Sequence, residues 1–177
     1  MKPVIVRGGG DLATATIHRL CKSGYPVIIL ECERPSAIRR LVSFCQAVYE
    51  ETMEVEGLTC SRAESFEQAL DQVSWNHPQL IVDPRGKCLE HYHPDVLVDG
   101  ILAKENLGTR RDMAELTIAL GPGFTAGEDV DYVIETKRGH YLGRIISQGA
   151  AIPNTGVPGV IGGYGKERVI HSPCPGI

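Results

Sequence analysis

The chain has 177 residues, 42% of them hydrophobic, and its 18 basic and 22 acidic residues give a net charge of -4. That length fits one domain, or one domain with a small appendage, and buries a sizeable core without staples. The composition excludes wholesale disorder, no apolar run approaches the ~20 residues of a membrane-spanning helix, and the overall charge offers no footprint for nucleic acid. Residues 1 to 6 lead directly into a strand-like run, without a charged n-region and cleavage site, so no signal peptide and a cytoplasmic location are expected. Six cysteines stand at 21, 32, 45, 60, 88 and 174 with no C-x-x-C pair, so reduced thiols are expected. The anomaly is the 20 glycines and 11 prolines, because most of the glycines follow residue 98 and imply a second half built from turns and close backbone approaches.

In chain order, Val4-Ile5-Val6 reads as a short buried strand, broken by Gly8-Gly9-Gly10. Ala13, Ile17, Leu20 and Cys21 recur at helical spacing, with His18, Arg19 and Lys22 facing away, and Gly24 stands at the C-cap. Val27 to Leu30 is a second buried strand ending at Glu31, which completes a βαβ unit. Ile38, Leu41, Val42 and Cys45 predict a helix from Ser36 to Gln46. Residues 47 to 63 read as short strands broken at Gly57, and Phe66, Ala69, Leu70 and Val73 as another helix. Leu80 to Val82, Val96 to Val98 and Leu116 to Leu120 are further strands. Strands alternating with helices predict an open, mostly parallel sheet. Tyr132 to Glu135 and Leu142 to Ile146 bracket a hairpin, and from 147 onward Gly and Pro recur every few residues. The chain stops at Ser172 to Ile177 without a closing element, so a longer architecture is expected.

The stretch Gly8-Gly9-Gly10-Asp11-Leu12-Ala13 fits G-x-G-x-x-G/A. Its glycines permit a tight turn and close approach of a phosphate to the backbone, and its small last residue lets helix and strand pack closely. Free N–H groups at the helix start favour an anion, and Glu31 stands where a ribose-binding acid is expected. The alternative is a βαβ turn that keeps the geometry and binds nothing. Gly121 and Gly123 open a second candidate ligand loop after a strand, or a plain wide turn. Lys137, Arg138, His140 and Arg144 form a basic patch over the hairpin. It reads as a solvated face or as a phosphate clamp, for which Arg is suited. His91 and His93 share a face if they lie on a strand, but with Asp95 they lack a fourth ligand, so no metal is expected. Cys32 is a reactive thiol only if its pKa is depressed, and otherwise an inert buried cysteine.

Five stretches together resemble the selenium-dependent molybdenum hydroxylase system protein family (YqeB type). They are Val4 to Thr14 (VIVRGGGDLAT), Ala37 to Arg40 (AIRR), Leu120 to Gly127 (LGPGFTAG), Glu135 to Arg144 (ETKRGHYLGR) and Asn154 to Gly159 (NTGVPG). The resemblance implies a helper in maturing molybdenum hydroxylases that carry labile selenium, comparable to XdhC-type accessory proteins. It also implies a hydroxylase apoenzyme as partner and a molybdopterin-type cofactor as candidate ligand.

The expected fold is therefore α/β, with a Rossmann-like, mostly parallel sheet over residues 1–130. A Gly/Pro-rich β-type region is expected over 131–177. The candidate ligand-binding residues are Gly8, Gly9, Gly10, Asp11, Leu12, Ala13, Glu31, Gly121, Gly123, Arg138 and Arg144. The expected function is accessory: binding a small phosphate-bearing cofactor or nucleotide. The alternatives are an NAD(P)-dependent oxidoreductase, where Glu31 suits an NAD-like dinucleotide, or a structural module that docks on a partner enzyme. Catalytic turnover and homo-oligomerisation stay open.

Overall fold

A computed structural model describes residues 1–170 and 172–174. The chain forms β1 (Val4–Arg7), α1 (Asp11–Lys22), β2 (Val27–Glu31), α2 (Ala47–Glu50), β3 (Thr52–Val55), β4 (Leu58–Arg62) and α3 (Phe66–Gln72). It continues with β5 (Gln79–Val82), β6 (Val96–Asp99), β7 (Leu116–Leu120), β8 (Thr125–Ala126), β9 (Tyr132–Ile134), β10 (Ile145–Ile146) and β11 (Gly149–Ala150). Nine strands make one sheet in the order β10-β9-β7-β6-β1-β2-β5-β4-β3, and β8 and β11 form a separate pair. The inner pairings are parallel, while β3 against β4 and β10 against β9 are antiparallel. The fold is α/β and Rossmann-like. The sheet runs across residue 130, since β9 pairs with β7 and β10 with β9.

The central strands carry uninterrupted apolar residues because both faces of the sheet are covered. Alternation sends Val4 and Val6 to one face, where Ala13, Ile17 and Cys21 of α1 pack with Phe44 and Val48. Ile5, Ile28 and Leu30 go to the other face, against Ala69, Phe66 and Leu70 of α3. Ile17 is fully buried, and burying one such side chain stabilises by roughly 1.5–3 kcal/mol. The helix α1 ends as its sequence predicts: Gly24, at φ +90°, follows Ser23, and its N–H donates to the carbonyl of Cys21.

Two expectations fail. The helix predicted from Ser36 to Gln46 does not form; Arg40–Val42 and Phe44–Gln46 are 3-10 turns instead. The Ile38 and Leu41 side chains of the supposed apolar stripe are 98% and 86% exposed. Tertiary hydrogen bonds win there: the N–H of Phe44 donates to Thr14 Oγ1 and that of Cys45 to the carbonyl of Gly9. Alternation of strand and helix also stops after α3. The crossings among β6, β7 and β9 use loops and a 3-10 turn at Arg111–Met113.

This strand order places a topological switch at β1. From β1 the chain proceeds to β2 on one side, and β6 joins on the other. In open α/β sheets the crevice beyond the carboxyl ends of the strands at that point is where ligands bind. Two segments flank it: the glycine turn after β1 and residues 100 to 104 after β6.

Candidate ligand-binding groove

The three glycines after β1 do different work. Gly8 sits at φ +91°, and a Cβ there would lie 3.0 Å from the Ile101 backbone. A Cβ on Gly9 would lie 3.0 Å from the Cys45 nitrogen. Both glycines serve close packing of the fold. Gly10 differs: its φ of -65° suits any residue, and a Cβ would meet nothing within 4 Å. Gly10 is therefore free of any packing demand and opens onto space. Ala13 is small because Gly100 lies against it; a Cβ on Gly100 would come within 2.9 Å of the Ala13 Cβ.

Polar groups knit this turn internally. Glu31 at the end of β2 accepts the Gly9 N–H at 2.8 Å through Oε2 and the Cys32 N–H at 2.7 Å through Oε1. Asp11, the first residue of α1, accepts the Leu12 N–H at 2.9 Å, and its other oxygen pairs with Arg39. The turn borders a cleft of about 290 Å³ lined by Gly8, Gly10, Ala13, Glu31, Cys32 and Cys45, among others. Cys32 does not meet the condition for a reactive thiol: burial, then the Glu31 charge, pushes its pKa up. Burial pushes the Cys45 thiol up to about 12, with Glu31 and Cys32 adding to it.

Leu12 and Leu102 border this cleft and also a second one of about 470 Å³. Lys104, Lys137, Arg138, Asn154 and Thr155 line the second cleft. Among the described residues, none of these three cations forms an ion pair. Leu102 and Lys104 stand at φ +60° and +67°, a left-handed conformation that costs non-glycine residues about 1–2 kcal/mol each. Behind Lys137 lies the buried carboxylate of Glu135, which accepts the Lys137 N–H and the Ile152 N–H, each at 2.8 Å. Burial pushes the Glu135 carboxyl up, but the N–H groups of Ile152, Lys137 and Thr136 outweigh it and hold the pKa below the ordinary 4.5. Glu135 thus ties the 152–157 strap to the hairpin that carries Lys137 and Arg138.

The remaining predicted residues fall elsewhere or serve the backbone. A Cβ on Gly121 would lie 2.7 Å from Thr136 Oγ1, and one on Gly123 2.7 Å from the Glu105 nitrogen, so tight packing explains both. Arg144 is in another cleft, with its guanidinium 4.8 Å from the Tyr141 ring centroid. Arg138 and Arg144 therefore line different clefts. His91 and His93 are not on a strand, since β6 begins at Val96, and Asp95 pairs with Lys2 at 2.9 Å. Among the described residues no three His, Cys, Asp or Glu side chains gather as a metal site. No helix of the described residues is long and apolar enough to cross a membrane.

Sequence reasoning missed a buried network at the carboxyl ends of β1 and β6. Arg7, 2% exposed, donates to Thr109 Oγ1 and to the carbonyls of Pro84 at 3.0 Å and Leu107 at 3.3 Å. Its Nη1 lies 3.7 Å from Asp99 Oδ2, which also accepts from the Thr109 hydroxyl at 2.6 Å. Parallel register sets Arg7 beside Asp99, so two strand ends hold the loop after β5 at Pro84 and the loop after β6 at Leu107 and Thr109. The signal available was an arginine ending an otherwise apolar strand. Lys104 and Leu102 carried no signal, because nothing in their local sequence announces a left-handed backbone.

Over 174 residues this chain is 50% identical to the Escherichia coli (strain K12) protein named "Uncharacterized protein YqeB". The chain is similar to YqeB. The match covers 98% of this chain and 32% of YqeB, so the chain spans about a third of that relative's length. Both clefts lie in a chain that matches YqeB almost throughout. No family model matches the chain, and no solved structure matches it.

Proposed function

We propose that this chain is the ligand-binding part of an accessory protein for maturation of a selenium-dependent molybdenum hydroxylase. Its groove holds a phosphate-bearing cofactor or nucleotide, and the hydroxylase apoenzyme is its partner. The sequence stretches described above, and the similarity to YqeB, support the family reading, with XdhC-type accessory proteins as the functional analogy. One observation supports the ligand reading: Lys104, Lys137 and Arg138 line one cleft and make no ion pair among the described residues, in a chain whose net charge is -4. Three such cations, of which only Lys137 feels the buried Glu135 carboxylate behind it, create a local attraction for anions in an acidic protein. The residues fit a phosphate-bearing pterin or nucleotide, since Gly10 leaves open space where a side chain would otherwise stand. Such a cofactor supplies its own chemistry; the residues of this chain bind and orient it.

The test is mass-spectrometric identification of what copurifies with the protein, released by denaturation. A phosphorylated pterin supports the accessory reading. A nicotinamide dinucleotide supports the oxidoreductase alternative. A ligand without phosphate contradicts both.

A further inference from the structure

This inference rests on the phosphate-binding reading above and assigns the ligand's polarity. At the glycine turn, the Gly9 N–H is already given to Glu31 and the Leu12 N–H to Asp11. Asp11 is neutralised by Arg39, but the Glu31 carboxylate on the Gly9 N–H has no cation paired with it among the described residues, and it repels a phosphate placed beside Gly9. The loop after β6 has the opposite character. Leu102 and Lys104 keep left-handed backbones that glycine would adopt without strain, and their side chains form the wall of the basic cleft. Strain retained at a cleft points to a task for those side chains.

We propose that the ligand's phosphate sits against Lys104, Lys137 and Arg138, and that Glu31 reads a pair of hydroxyl or amino donors at its uncharged end. The Gly9 and Cys32 N–H groups fix the Glu31 carboxylate, and each oxygen retains a lone pair for a further donor. Leu12 and Leu102, shared by both clefts, flank the middle of the ligand. The polarity is the reverse of a phosphate bound on the glycine turn.

Calorimetry with inorganic pyrophosphate tests the phosphate seat in the wild type and in Lys104→Gly, Arg138→Ala and Glu31→Gln. Lys104→Gly weakens pyrophosphate binding by about tenfold or more, while its melting temperature stays equal or rises, because glycine relieves the strain. Arg138→Ala weakens binding similarly, and Glu31→Gln leaves it unchanged. Unchanged binding in Lys104→Gly and Arg138→Ala, with tighter binding in Glu31→Gln, returns the phosphate to the glycine turn and overturns the proposal alone. No pyrophosphate binding to wild type at millimolar concentration overturns the phosphate-binding reading itself. ADP, GDP and 2′,3′-dideoxy-ADP test the other end. If Glu31→Gln weakens ADP binding but not that of the dideoxy analogue, the donors are ribose hydroxyls; if it weakens only GDP binding, they belong to the edge of an amino-heterocycle. If it weakens none of them, the role of Glu31 is overturned.

Discussion

Two loops flank the switch point, and they divide the work. The turn after β1 carries the recognisable glycine fingerprint, yet the fold already uses the N–H groups of Gly8, Gly9 and Leu12. Gly8 and Gly9 accommodate neighbouring backbone, and Glu31 and Asp11 take N–H groups of the turn and first helical residues. The loop after β6 has no fingerprint, yet it holds two strained residues and an unpaired cation over the larger cleft. A motif's geometry and its ligand are separable: glycines can be retained for packing, while binding chemistry moves to a neighbouring loop.

The largest effect is expected at Arg7. Arg7→Ala leaves Asp99 buried without its cation, and losing one partner of a buried pair costs about 3–5 kcal/mol. Urea denaturation should show that loss; a loss below about 1 kcal/mol would mean that the Arg7 network does not hold the loops after β5 and β6. Within the glycine turn the expected contrast is smaller. Gly9→Ala forces its Cβ onto the Cys45 backbone and should cost about 1–3 kcal/mol, whereas Gly10→Ser, which keeps a good N-cap residue and meets no neighbour, should change stability by less than about 0.5 kcal/mol. Equal stability losses at both positions, measured in the same way, would remove the distinction between them.

Acid acts on the hairpin side of the larger cleft. The folded pKa of Glu135 is depressed, so its contribution to stability is full above the unfolded value and is lost as pH falls through the folded value. The 152–157 strap should loosen below pH 4.5, seen as faster amide exchange of Ile152 after correction for intrinsic rates. In Glu135→Gln that exchange should already be fast at neutral pH, and a flat pH profile in wild type would contradict the clamp. The smallest effect is expected at Arg144. Its exposed stacking on Tyr141 is worth about 0.5–1 kcal/mol, so Arg144→Ala should lower stability by no more than that and leave ligand affinity unchanged. A tenfold affinity loss would restore Arg144 to the site.

Much of the fold was legible because its central strands are short, apolar and bounded by glycine or Asp-Pro, and because α1 carries its own stripe and C-terminal glycine. The segment from Ser36 to Gln46 misled because its helical spacing was real but its backbone had better partners in Gly9 and Thr14. The groove was half legible. Local sequence locates Gly10, Leu12, Glu31 and Arg138, but it cannot register that Glu31 satisfies Gly9, that Arg138 and Arg144 part company, or that Lys104 is aimed by a left-handed backbone. Those facts depend on strand register and on contacts across the sheet edge.

The most direct test of where the anion sits is a pyrophosphate titration of the isotopically labelled protein, followed by backbone amide resonances. The prediction is that shifts concentrate at Lys104, Lys137, Arg138, Asn154 and Thr155, saturating together, while Gly9 and Leu12 barely move because their N–H groups are held by Glu31 and Asp11. Large saturating shifts at Gly9, Gly10 and Leu12, with Lys104 and Arg138 unmoved, would contradict the account and place the anion on the glycine turn.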